Sequence, residues 1–593
     1  MCGIAGELRL DGQRPDPACI DRMTATLARR GPDAQGSWCE GPVGFGHRRL
    51  AIIDLSPRSA QPMVDPALGL ALVFNGTIYN YPALRAELIA RGYAFHSDGD
   101  TEVILRAYAE WGEACVERLH GMFAFAIWDR KHGRLFLARD RLGIKPLYYS
   151  HTAGCLRFAS TPQALLAAGG VDTAIDPVAL HHQFTLHAVV PAPHTLLTGV
   201  RKLAPATTLS FDLAGRVSER CYWRLAAQRP AHAMDVQEWQ AAIHDALCAA
   251  VQKRLTVADV KVGVLLSGGL DSSLLVGLLA EHGVGDLMTF SVGFEDHPEE
   301  RGHEFEYSDA VAAHFGTRHH QFAIPNHEVL DRLPEAVDAM AEPMVGQDAV
   351  AFYLLAEQVA KTVKVVQSGQ GADEVFGGYF WYPRMHEETE GAAVERFRRH
   401  YFDRDHDEYL ATVDPRYHGA DHTAALVAGR LAEPLADEFI DQVLRMDVTM
   451  LITDDPVKRV DNMTMAWGLE ARVPFLDHEV VELAAQMPPE LKLASGGKHI
   501  LKQISRGLLP DAVIDRKKGY FPMPALKYVR GDFLAFMHDI LDARACRERG
   551  LFRRDYVDKL LAEPERHHTR IQGSKLWHLA LLELWLQRNV DAA

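Results

Sequence analysis

Apolar positions follow two regimes along the chain. Up to about residue 215 they come in strand-length runs: ALVFNGTIYN (71–80), MFAFAIWDR (122–130) and RLFLARDRLGIKPLYYS (134–150). Aromatic and branched residues bounded by Gly, Asn and Asp predict strands with some helix between them. From about 236 the period changes. QEWQAAIHDALCAAVQKRL (237–255) carries apolar residues at helical spacing. KVGVLL (261–266), LMTFSVGF (287–294) and KVVQSG (364–369) read as buried strands, and LLVGLLAEHG (274–283) reads as a helix. Strands alternating with helices predict a parallel sheet. The C-terminal third is largely helical and ends in KLWHLALLELWLQR (575–588). Residues 216–235, with Pro230 and little periodicity, read as a linker. The expected organisation is a domain over 2–215, a linker over 216–235, and a second domain over 236–593, of mixed α/β and α+β class.

Composition removes whole classes. With 48% hydrophobic and 24% charged residues in 593, the chain is globular rather than disordered. Lys+Arg 63 against Asp+Glu 79 leaves −16, which argues against general nucleic-acid binding. No apolar run approaches the ~18 residues of a membrane span, and the N-terminus lacks a secretory pattern. The eight cysteines include no C-x-x-C pair, which fits a reducing cytoplasm. The 29 histidines show no spacing that demands a transition metal, and are read as surface or core residues.

Two segments carry chemistry. Removal of Met1 would leave Cys2 with a thiol and a free α-amine on one residue. The amine, with a reference pKa of ~7.7–8.0, suits a general base. The second segment is SGGLDSS (267–273), between a buried strand and a helix. Its glycines let backbone N–H groups turn toward an anion, and the helix N-terminus adds a positive dipole end. It lacks the spacing and lysine of a Walker A loop.

The first segment has companions: MCGIAG (1–6), RRGPD (29–33), HRRLAIID (47–54), FNGTIYN (74–80) and GDTEVIL (99–105). Together they resemble a class II glutamine amidotransferase domain, an N-terminal-nucleophile αββα fold. The resemblance implies that Cys2 attacks glutamine to form a thioester. Asn75 and Gly76 would form the oxyanion hole, Arg49 would hold the glutamine carboxylate, and Asp100 its α-amine. Position 77 is Thr where that family often has Glu, which leaves the site one carboxylate short.

The loop at 267–273, with SGQGADEVFGGY (368–379), DNMTMAWGLEARVPFLD (461–477), GGKHILK (496–502) and RKKGYFPMP (516–524), resembles the ATP-pyrophosphatase half of glutamine-hydrolysing asparagine synthetases. The resemblance implies ATP and Mg²⁺. Leu265, Ser267, Gly268, Gly269, Asp271, Ser272, Val292, Ser368 and Gly369 would bind the nucleotide. Asp271 and Asp373 would hold the metal, and Lys498 would neutralise departing pyrophosphate. A carboxylate would be activated as an acyl-adenylate and attacked by ammonia from glutamine.

The acceptor region departs from aspartate-using relatives. Gln370 stands where they carry Glu or Asp, and Gly346, Gln347 and Asp348 replace an acidic-hydroxyl cluster. With HAVVPAP (187–193) and EPMVGQDAVAFYLL (342–355), this resembles the N-acetylglutaminylglutamine amidotransferases. The implied acceptor is that blocked dipeptide, with aspartate as the alternative. A plain glutaminase and a non-catalytic relative are disfavoured by the presence of both Cys2 and Asp271. Glutamine and a carboxylate are the expected partners, and homo-oligomerisation stays open.

Overall fold

The computed structural model describes residues 2–152, 154–296, 301–516 and 523–592. The first unit holds two six-stranded sheets. Around strand Cys2–Arg9 the first sheet places Val43–Arg49 on one side and Cys155–Ala159 on the other, all antiparallel. The second sheet is centred on Leu70–Ile78, Gly121–Asp129 and Arg134–Arg139, again antiparallel. Strand alternation explains the layering. Ala71 and Val73 pack with Ile4, Leu8 and Phe45 between the sheets. Leu70, Leu72 and Phe74 point the other way, onto helices Tyr81–Ala90 and Asp100–Trp111. Helix Pro17–Thr26 covers the outer face of the first sheet. The result is the αββα arrangement.

Residues Val217–Cys221, which fall in the expected linker, form an edge strand paired with Thr207–Phe211. Its five residues are all exposed, so no apolar alternation marks it in the sequence.

The second unit is built on a five-stranded sheet in the order Arg318–Ile324, Met288–Phe294, Val262–Leu265, Val365–Gln367, Glu470–Arg472. All four pairings are parallel. Helices cover it and extend into a helical C-terminal part. The last helix, Lys575–Asn589, is apolar nearly all round because it is buried nearly all round. Its Trp577 and Trp585 indoles donate to the carbonyls of Val345 and Met340 at 3.1 and 2.8 Å. Among the described residues, no helix is long and apolar enough to cross a membrane.

Buried ion pairs join the two units. Asp461 receives Arg30 at 3.0 Å and Lys145 at 3.1 Å, with all three side chains at most 7% exposed. Removing a shared partner from such a cluster strands two desolvated cations. Asp461→Ala is expected to cost about 3–5 kcal/mol, read as a lower chemical-denaturation midpoint. The exposed pair Arg588–Asp338 gives the contrast, since Asp338→Ala should cost less than about 1 kcal/mol. Equal losses would contradict the assignment.

Candidate active site

The first candidate pocket lies where strand Cys2–Arg9 begins. The Cys2 backbone N–H donates to Asn75 Oδ1 at 3.0 Å. This orients Asn75 so that its Nδ2, fully buried, has no hydrogen-bond partner among the described residues. An orphaned donor beside a thiol is a ready site for a developing negative charge. Gly76 follows on the same strand. A Cβ there would lie 2.2 Å from the Met122 carbonyl oxygen, so a side chain would force the strand pair apart.

Cys2, Arg49, Gly76 and Asp100 line one cavity of about 30 Å³. Arg49 donates to the Ser56 carbonyl at 2.9 Å and to that of Asp54, using two of its five N–H donors. Asp100 accepts from the Ile78 N–H at 3.0 Å. Burial lifts its carboxyl to about 6. Burial also raises the Cys2 thiol, against the pull of Arg49 and a backbone hydrogen bond from Leu50.

The same cavity has a wall from the other unit: Glu470, at the start of the edge strand of the parallel sheet. The Thr77 hydroxyl donates to it at 3.2 Å. Burial works to raise the Glu470 carboxyl, but Arg472 at 2.6 Å and neighbouring cations hold it at about 2. The carboxylate that Thr77 lacks is therefore present, supplied from nearly 400 residues away in sequence. No local signal announces such a contact.

The second candidate pocket is a cleft of about 570 Å³ at the C-terminal ends of the parallel strands. Leu265, Ser267, Gly269, Asp271, Ser272, Val292, Ser368 and Gly369 all line it. Gly268 shapes the turn instead: it sits at φ +77°, and a Cβ would meet Ser308 N at 2.7 Å. Gly369 lets two loops close, since a Cβ there would lie 3.0 Å from Asp271 Cβ. Lys498 bridges two carboxylates, with its Nζ 2.6 Å from Asp271 and 2.7 Å from Asp373. Burial would discharge this lysine, but the two anions hold its pKa above the ordinary value. Two carboxylates from separate loops thus converge within reach of one cation. That donor set fits Mg²⁺, which takes one or two carboxylates plus phosphate oxygens.

A smaller cavity, about 190 Å³, adjoins the cleft. Asp348, Tyr379 and Arg459 line both. Gln347 lines the smaller cavity alone, whereas Gln370 lines the large cleft. The smaller cavity also contains His187 and Glu374, which fall inside the HAVVPAP and SGQGADEVFGGY motifs without a role assigned to them there, and Trp381 and Asp447, which fall outside every motif. Residues 517–522 of the RKKGYFPMP motif lie outside the described residues.

Comparison with known proteins bears on both pockets. A glutamine amidotransferase domain model matches residues 1–223, and an asparagine synthase model matches 242–587. The chain belongs to the asparagine synthase family. It is 31% identical to asparagine synthetase [glutamine-hydrolyzing] 3 of Bacillus subtilis, over 99% of this chain and 98% of that one. Asparagine synthetase [glutamine-hydrolyzing] 1 of the same organism is also 31% identical, over 100% and 97%. Asparagine synthetase B [glutamine-hydrolyzing] of Escherichia coli is 28% identical, over 88% and 82%. As a member of this ATP-dependent family, the chain is a glutamine-hydrolysing carbon–nitrogen ligase.

One glycine offers a test of how tightly the synthetase cleft is set. A Cβ on Gly378 would lie 2.2 Å from both Asp373 Oδ1 and Lys498 Cε. Gly378→Ala must push this ion cluster apart. A displacement of ~1 Å costs on the order of 100-fold in a positioned site. Pyrophosphate release should fall by about that factor, while glutamine hydrolysis stays unchanged. Unchanged pyrophosphate release would show that the cluster tolerates displacement.

Proposed function

We propose that the enzyme amidates the C-terminal carboxylate of N-acetylglutaminylglutamine, using glutamine as nitrogen donor and ATP as activator. The acceptor carboxylate attacks the α-phosphorus of ATP, giving an acyl-adenylate and pyrophosphate. Ammonia then attacks the acyl carbon and AMP leaves. Ammonia comes from the first pocket. There, once Met1 is removed, the Cys2 thiol attacks the glutamine side-chain amide, its proton passing by way of the freed α-amine to the departing nitrogen, and water later hydrolyses the thioester. Asn75 Nδ2 and the Gly76 N–H hold the oxyanion. Arg49 and Asp100 hold the glutamine carboxylate and ammonium.

The convergence of Asp271, Asp373 and Lys498 carries the activation step. Mg²⁺ held by Asp271 and Asp373 would supply charge neutralisation at the phosphates. Lys498, released from those carboxylates, follows the negative charge onto pyrophosphate. Leu265 and Val292 offer apolar walls to the adenine, and Ser267, Gly269 and Ser272 face the phosphates from the loop and helix start.

The lining of the smaller cavity supports a blocked acceptor. Each of its four carboxylates already has a partner. Asp348 and Asp455 pair with Arg459. Tyr379 donates to Glu374 at 2.8 Å, and Tyr382 donates to Asp447. Burial and the charge of Asp373 push Glu374 up to about 7, and burial raises Asp447 well above the carboxylate range. A free ammonium therefore meets anions that are already compensated or turning neutral. Gln370 adds an amide, which hydrogen-bonds but takes no charge. Aspartate, the acceptor implied by the names of the curated relatives, is the alternative reading.

The test is acceptor-dependent pyrophosphate release with Mg-ATP and glutamine, the product being weighed by mass spectrometry. N-acetylglutaminylglutamine should give a C-terminally amidated dipeptide, and Cys2→Ala should retain this with added ammonia while losing it with glutamine. Asparagine formed from aspartate, with no dipeptide turnover, would overturn the acceptor assignment.

A further inference from the structure

The smaller cavity has one wall from the N-terminal half of the chain. Helix Pro177–Thr185 ends, and His187 and Ala188 both take left-handed conformations at φ +53° and +58°. Such a backbone is uncommon outside Gly, least so for Asn, Asp and His, and two consecutive residues adopt it only where the surroundings hold them. Two contacts do so here. The Asp403 N–H donates to the Thr185 carbonyl at 3.0 Å, and His187 Nδ1–H donates to Asp403 Oδ2 at 2.9 Å. His187 lines the smaller cavity and not the ATP cleft, so it stands away from the phosphate chemistry.

The charge state follows from the neighbours. Asp403 is buried, and burial alone would protonate it, yet His187 and Arg404 hold it ionised. His578 packs edge-on to His187 at 5.7 Å, and burial drives its own pKa down to about 3, so it stays neutral. For His187, burial opposes charge, but Asp403 and more distant Asp455 outweigh it and the repulsion of Arg459, and its pKa rises. The proton of this pair therefore resides on His187. With Nδ1–H committed to Asp403, an imidazolium presents Nε2–H as its remaining donor.

We propose that His187, oriented by Asp403, is the acceptor-recognising donor of the cavity, binding a carbonyl or carboxylate oxygen of the acceptor remote from the carboxylate being activated. This rests on the reading that the cavity takes the acceptor. In a blocked dipeptide the oxygen belongs to an amide; in aspartate it belongs to the second carboxylate. Asp403 is a positioning residue that acts through His187. The reactive end lies toward Asp348, Tyr379 and Arg459, where the cavity meets the cleft.

The experiment measures the acceptor KM from pyrophosphate release between pH 6 and 9, using N-acetylglutaminylglutamine and aspartate in parallel. In the wild type the KM should rise as pH climbs through the His187 pKa and the imidazolium is lost. Glu374, across the cavity and titrating at about 7, adds its own alkaline effect; Lys527 also lines this cavity. The Asp403→Asn variant separates these contributions. It removes the anion that favours the charged imidazole, so the alkaline limb should shift down by about one pH unit or more. His187→Asn, a residue tolerant of the left-handed backbone, should raise the acceptor KM about 10- to 100-fold and lose the limb that Asp403→Asn displaces. Its KM for ATP and its glutamine hydrolysis should match the wild type. A merely structural histidine would not move the pH limb. An acceptor KM within twofold of wild type in His187→Asn, or an unmoved limb in Asp403→Asn, overturns the assignment while leaving the proposed reaction intact. Absence of wild-type pyrophosphate release with both acceptors overturns the reaction and, with it, this role of His187.

Discussion

Two carboxylates from separate loops share one buried ammonium, and much of the synthetase half is arranged to make that possible. Asp271 and Asp373 would repel each other if brought together alone, and burial strengthens the repulsion. Lys498 removes it by bridging both. To reach them it adopts φ +55°, and its N–H is tied to the Phe376 carbonyl at 3.1 Å. Gly369 and Gly378 provide the missing bulk that lets the loops close. This is the arrangement the proposed activation step needs, in which a cation and a phosphate chain would replace the lysine–carboxylate bonds.

The second constraint is the three-residue strand Glu470–Arg472. Glu470 walls the Cys2 pocket, while the Arg472 carbonyl accepts from the Ser368 N–H at 2.8 Å at the rim of the larger cleft. At ~3.3 Å per residue the strand covers roughly 7 Å. One rigid element thus touches the frame of both sites. The Arg472 side chain closes the arrangement, bonding Glu470 and the carbonyls of Arg254 and Val257. Fusion of the two units is, in physical terms, the sharing of this edge strand and of the Arg30–Asp461–Lys145 cluster beside it.

Local pattern made the strands legible, because alternation and apolar runs report burial within one element. Phe74 to Thr77 announce both a strand and a binding turn, and SGGLDSS announces a strand, a turn and a helix start. The edge strand Val217–Cys221 was hidden because all of it is exposed. Glu470 and His187 were hidden for a different reason. Each acquires its meaning from a partner far away in sequence, Thr77 for one and Asp403 for the other. His187 opens the HAVVPAP motif, but nothing in that motif announces Asp403 as its partner, and 29 histidines give no means of pairing it.

The central claim is that the acceptor carboxylate is activated by transfer to AMP. Acceptor labelled with ¹⁸O in the reacting carboxylate tests it directly, with the nucleotide and phosphate products weighed after one turnover. One labelled oxygen should appear in AMP, because the oxygen that attacked the α-phosphorus leaves with it. Label in inorganic phosphate or pyrophosphate, or in neither product, would contradict the account.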